Sequence, residues 1–162
     1  MRFHHMCIVT TQLDEQIRFW RDFMGFDLKA RMEIPDGEDY AQTVLCPRTL
    51  MQDTFGDKDA RAVVALMMSK EGAMIELLQP VWPEVDATPK KKRLYRNSGI
   101  HELGLVIENI DAFFEKVRAA GYQTQTDYVW SCANMGRSFI FYDHEGNMIQ
   151  MWEHPPPVTA SQ

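Results

Sequence analysis

The chain writes one pattern twice, and no other feature limits its fold as much. "HHMCIVTTQLD" (residues 4–14) aligns without a gap over "HELGLVIENID" (residues 101–111). Both open on histidine, run through an apolar strand and reach Leu13-Asp14 or Ile110-Asp111. A helical pattern follows each. Ile17, Phe19, Trp20 and Phe23 recur at helix spacing in one copy, and Phe113, Phe114 and Val117 in the other. Gly25 and Gly121 stand where a helix C-cap belongs, which predicts helices near 12–24 and 109–120. Each half then closes on a related strand, "GAMIELLQ" (72–79) and "GNMIQMWE" (146–153).

Between helix and closing strand there is room for two more strands, near 27–34 and 62–69 in the first half and near 123–130 and 136–142 in the second. The chain therefore reads as α+β, one domain over 1–162 built from two βαβββ modules at 1–80 and 100–154. An insert at 35–60 reads as loop from its Pro, Gly and Asp content, with "AQTVLCP" as a candidate short added strand. Residues 81–99 read as a polar linker, and 155–162 as a disordered tail.

Composition narrows the function classes. The 162 residues suffice for one domain with a core, and a net charge of −6 opposes nucleic-acid binding. No apolar run reaches the ~18 residues of a membrane helix, and "MRFHHMC" lacks a signal-peptide pattern; the expectation is a cytoplasmic protein. Cys7, Cys46 and Cys132 are odd in number and widely spaced, as expected of free thiols. The eleven methionines read as core filler before cavity lining.

Side chains alternate along a strand, so His5 shares a face with Phe3, Cys7 and Val9 while His4 points the other way. By the repeat, His5 corresponds to Glu102, and His4 to His101. On the closing strands Glu76 corresponds to Gln150. A curved sheet made from two such halves would gather four equivalent side chains: His5, Glu76, Glu102 and Gln150.

At these residues the chain resembles the vicinal oxygen chelate superfamily (glyoxalase, bleomycin resistance protein, extradiol dioxygenase). The resemblance rests on "FHHMCIVTTQLDEQIRFWRDFMGF", "GAMIELL", "GIHELGLVIENIDAFFEKVRAAGY" and "FIFYDHEGNMIQMWE". It implies two βαβββ modules forming a curved mixed sheet, a cup with helices outside, around a divalent metal. The implied ligands are His5, Glu76, Glu102 and Gln150. The family's usual residues at the last two positions are His and Glu, so both are exchanged here, and a bulge would let His101 replace Glu102.

A neutral His, two carboxylates and an amide total −2, which balances a divalent cation. One nitrogen and three oxygens suit Mn, Fe, Co, Ni, Zn or Mg. A further charge at Gln150 would overfill such a site. Without a metal the same residues would form a polar patch in which two carboxylates share a proton.

The resemblance implies a small-molecule substrate and a metal-dependent lyase or isomerase, with Lewis-acid activation of a carbonyl or thioester and proton transfer by Glu102 or Glu76. The alternatives are an extradiol-type dioxygenase, disfavoured by both exchanges, and a non-enzymatic antibiotic-binding protein. Exposed strand edges predict a homodimer. "PKKKR" (89–93) reads as solvated linker or as a contact for anionic substrate groups. Trp130, Met135, Phe139 and Trp152 are candidates for a substrate wall or for the core. Cys7 reads as an apolar spacer rather than a nucleophile, and His144 and His154 as surface residues.

Overall fold

A computed structural model describes residues 2–156. The tail expectation falls mostly on 157–162, outside the described residues. The chain divides between Ala87 and Thr88 into two compact units.

The first unit runs β1 (Met6–Val9), α1 (Leu13–Arg18), β2 (Asp27–Ile34), α2 (Arg48–Phe55), β3 (Arg61–Met68) and β4 (Met74–Trp82). A π-helical turn over Phe19–Phe23 extends α1, marked by the bond from Met24 N–H to the Phe19 carbonyl (3.0 Å). Gly25, at φ 80°, then ends the helix as the sequence predicts. Strand order is β1-β4-β3-β2, with β1 and β4 parallel. One sheet face meets α1, where Leu13, Ile17, Trp20, Ala65, Met67, Ile75 and Leu77 are buried. The Gln16 amide oxygen accepts the Trp20 indole N–H at 3.1 Å inside this layer, so the buried polar groups are partnered.

The second unit repeats the scheme with β5 (Glu102–Val106), α3 (Ile110–Ala119), β6 (Trp130–Ser131), β7 (Arg137–Tyr142) and β8 (Met148–Glu153), in the order β5-β8-β7-β6. Its helix-facing layer is aromatic: Phe114 meets Phe139 edge-on at 5.0 Å, and Phe141 meets Tyr122 at 5.9 Å. The two mixed four-stranded sheets, neither closed, give the α+β class expected.

Three expectations are corrected. The insert carries helix α2, not loop alone. Met51 and Phe55 lie four residues apart on one helical face, and Gly56 at φ 68° donates its N–H to the Gln52 carbonyl as a left-handed cap. "AQTVLCP" forms no strand; Pro47 makes only a lone bridge to Gly37. The strand expected at 123–130 is broken. Gln123 and Gln125 bond to Tyr142 and Ile140 of β7, but the Thr126 hydroxyl donates to the Tyr128 carbonyl and turns the chain before β6.

No helix among the described residues is long and apolar enough to cross a membrane.

Candidate functional site

Strand register shows that the repeat is structural as well as textual. In the first unit Cys7 stands opposite Glu76, and His5 lies two residues before Cys7 on the same face. In the second, Gly104 stands opposite Gln150, and Glu102 lies two residues before Gly104. Both pairs occupy the face turned away from their own helix.

His5 and Glu76 meet directly, with Nε2 and Oε2 3.1 Å apart and the side chains 36% and 25% exposed. Two ligands at right angles on an octahedral ion, each about 2.1 Å from it, are also about 3 Å apart. The pair thus fits one edge of a divalent-metal shell. His4 Nδ1 lies 2.7 Å from His5 Nδ1, so one of the two nitrogens donates to the other. A neutral His5 offering its Nε2 lone pair carries its proton on Nδ1, and His4 is placed to accept it. Alternation predicts His4 on the side opposite His5, but both residues precede β1, where strand alternation does not hold them apart, and the two rings meet.

Cys7 is accessible as a residue, yet its sulfur is packed enough that partial burial, then the Glu76 charge, push its thiol up to about 11. A thiol so reluctant to ionise is a poor nucleophile, in keeping with a spacer role.

The rest of this face is closed by the insert. Met51 of α2 is buried with Ile34, Ala62 and Val64, and Phe55, Leu66 and Leu78 pack against them. Asp36 holds the insert in place by accepting the N–H groups of Leu45 (2.9 Å) and Cys46 (2.8 Å), which lower its pKa. The free part of the face is therefore the end that carries His5, Cys7 and Glu76.

In the second unit the segment after Thr88 folds onto the sheet. Tyr95 donates its hydroxyl to Glu102. Burial, then the bond to Glu102 and its charge, raise the Tyr95 pKa, so the phenol stays a neutral donor. Gln150 lies beside Gly104, whose position would put a Cβ 3.8 Å from the Gln150 Oε1. The only cue to Tyr95 in the sequence was an aromatic within a polar linker.

His101 is taken up by the linker rather than left free to replace Glu102. Its ring nitrogens meet the carbonyls of Arg93 (3.1 Å) and Asn97 (2.5 Å). It holds the linker, and β5 shows no bulge to bring it across. Phe139 is buried on the helix side and leaves the proposed substrate wall, because β7 alternates it with Ser138 and Ile140. Trp152 lies on the opposite face, level with Ser138, and Met135 is exposed. His144 and His154 are exposed.

Among the described residues no three His, Cys, Asp or Glu side chains stand close enough together to hold a metal ion. His5 and Glu76 form a pair within the first unit, while Glu102 and Gln150 belong to the second.

A family model described as Glyoxalase/Bleomycin resistance protein/Dioxygenase superfamily matches residues 2–151. A glyoxalase family protein from Bacillus cereus shares the fold at TM-score 0.76 and 20% identity, over 95% of this chain and 94% of that one. A glyoxalase/dioxygenase from Nostoc punctiforme aligns at TM-score 0.62 and 15% identity, over 95% and 91%. A genomically encoded fosfomycin resistance protein from Listeria monocytogenes, complexed with Mn(II) and 1S,2S-dihydroxypropylphosphonic acid, aligns at TM-score 0.59 and 11% identity, over 96% and 91%. Among curated proteins, none matches significantly.

Proposed function

This chain belongs to the Glyoxalase/Bleomycin resistance protein/Dioxygenase superfamily, and from that premise we propose that it is a cytoplasmic metal-dependent lyase or isomerase acting on a small carbonyl or thioester compound. The observation that carries the reading is the register: His5–Glu76 and Glu102–Gln150 occupy matching positions on the helix-free faces of the two sheets. These four residues are the proposed ligands. The 3.1 Å His5–Glu76 spacing and the −2 charge of the set support a divalent ion. So does the Mn(II) held by the Listeria fold relative.

When bound, such an ion supplies Lewis-acid polarisation of a substrate oxygen. The chain's own residues supply the rest. Glu102 takes a proton from the carbon next to the substrate carbonyl. Tyr95, neutral and donating, fixes one Glu102 oxygen; the other is the weakly held ligand of the set and is the one that accepts that proton. Glu76, whose Oε2 is already paired with His5, is the other carboxylate of the set.

The test is solvent deuterium exchange into 2-oxo-thiol adducts and acyl-CoA thioesters. Glu102→Gln should slow exchange by ~10²–10⁴-fold with metal retained, the usual loss for a general base. Tyr95→Phe should cost about 10- to 100-fold, as for partners that orient a ligand. Exchange at wild-type rate in Glu102→Gln would pass the role to Glu76. Oxygen uptake with catechols in place of exchange would replace the reading with ring-cleaving dioxygenase chemistry.

A further inference from the structure

The "KKKR" run does not dissolve into solvent along its whole length. Residues 90–92 make one 3-10 turn, and Arg93 leaves it pointing at the β7–β8 turn. There its Nη1 donates to the Glu145 carbonyl (2.6 Å) and to the Asn147 amide oxygen (2.8 Å). Both acceptors are neutral, so the guanidinium is anchored without losing its net charge. The turn itself is braced. Asp143 accepts the N–H groups of Glu145 (3.0 Å) and Asn147 (2.8 Å) and the Asn147 side-chain amide (2.8 Å).

Lys90 lays its stem over Gly146, where an added Cβ would come within 3.1 Å of the Lys90 Cγ. Gly146 sits at φ 83°, so close approach and backbone both ask for glycine. Among the described residues neither Lys90 nor Arg93 forms an ion pair with a carboxylate.

Lys90, Arg93, Leu94, Gln123, Tyr142 and Met148 line a cavity of ≈ 130 Å³. Two cations and the Gln123 amide supply donors, while Leu94 and Met148 give an apolar floor. Met148 is the register partner of Glu102, so one lining residue of the cavity is the cross-strand neighbour of the proposed base.

We infer that this cavity seats the oxyanionic end of the substrate, a carboxylate or phosphoryl-type group, and holds the reacting carbon toward Glu102. The substrate class is thereby narrowed to anionic carbonyl or thioester compounds. The placement of the reacting carbon rests on the function proposed above; the anion site itself does not.

The experiment uses the full chain treated with chelator, so that no metal takes part, at low ionic strength. Inorganic phosphate, methylphosphonate and acetate are titrated by calorimetry. The expected result is saturable binding of at least one of the three, and the best binder names the group. Lys90→Gln, which breaks no hydrogen bond, should weaken that binding about tenfold or more, since it removes a charge-assisted donor. Arg93→Gln should weaken it at least as much. Lys91→Gln, one residue away, should leave it unchanged. No saturable binding, or equal affinity in the Lys90, Arg93 and Lys91 variants, overturns the inference and leaves the metal reading intact. Binding that follows this pattern in a protein that never takes up metal retires the metal reading alone.

Discussion

In the first unit the carboxylate of the closing strand stands on the open face, as Glu76, and the amide caps the helix, as Gln79. In the second unit the two have changed places, with Gln150 on the open face and Glu153 at the helix. The cap geometry is the same in both: Gln79 Oε1 accepts Leu13 N–H at 2.8 Å, and Glu153 Oε1 accepts Ile110 N–H at 3.0 Å. A helix N-terminus needs only an oxygen, charged or neutral. The exchange therefore costs the fold little and frees the open face to set its own charge. With Glu102 already there, Gln150 keeps the proposed donor set at −2.

The units also differ in what covers their open faces. In the first it is helix α2, packed as core. In the second it is a linker turn, packed by polar contacts. Met51→Ala should therefore destabilise the protein by about 2–5 kcal/mol, as for other buried side chains cut to alanine. Leu94→Ala, at a position 37% exposed, should cost under about 1 kcal/mol. Urea unfolding of both variants measures the contrast, and equal losses would break it.

The helix caps give a smaller effect. Gln79→Ala and Glu153→Ala should each cost about 1 kcal/mol. Gln79→Glu should be neutral or slightly stabilising, because a carboxylate is favoured at a helix N-terminus. A large loss in Gln79→Glu would mean that the two caps are not interchangeable.

The smallest effect concerns the acid side. Each helix ties a first-turn aspartate to a sheet arginine, Asp14 to Arg31 (2.8 Å) on β2 and Asp111 to Arg137 (2.5 Å) on β7. The hydrogen bond from Arg137 holds the Asp111 carboxyl below its usual range. A lowered carboxylate pKa contributes stability above the unfolded value, near 3.9, and loses it as pH falls through the folded value. Asp111→Asn should thus cost well under about 1 kcal/mol at neutral pH, and the difference from wild type should shrink below about pH 4. A difference that grows on acidification would contradict the assignment.

The sequence made the modules legible because burial imposes periodicity. Phe113, Phe114 and Val117 had to face a sheet, and the alternation through "FHHMCIVT" had to put His5 and Cys7 on one side. Helix α2 was illegible because its residues lie in a stretch whose Pro, Gly and Asp content masks a single buried edge, Met51 and Phe55. The break at Thr126–Tyr128 depends on a side-chain bond that no periodicity announces. The open-face candidates were visible through the repeat, since two copies constrain each other. Tyr95 and His4 were not, because their roles come from contacts made by a linker turn and by a neighbour's ring, and Arg93 was visible only as one charge of "PKKKR", not as the anchored one.

Metal content per chain is the most direct test of whether Glu76 and Gln150 differ because their residue set shares one divalent ion. Protein purified without chelator and supplemented with Mn, Fe, Co, Ni or Zn should hold about one ion per chain by elemental analysis, the stoichiometry of a single charge-balanced site. His5→Ala should remain folded by circular dichroism and lose most of that metal. A wild-type chain that stays empty after supplementation, or a His5→Ala chain that stays full, would contradict it.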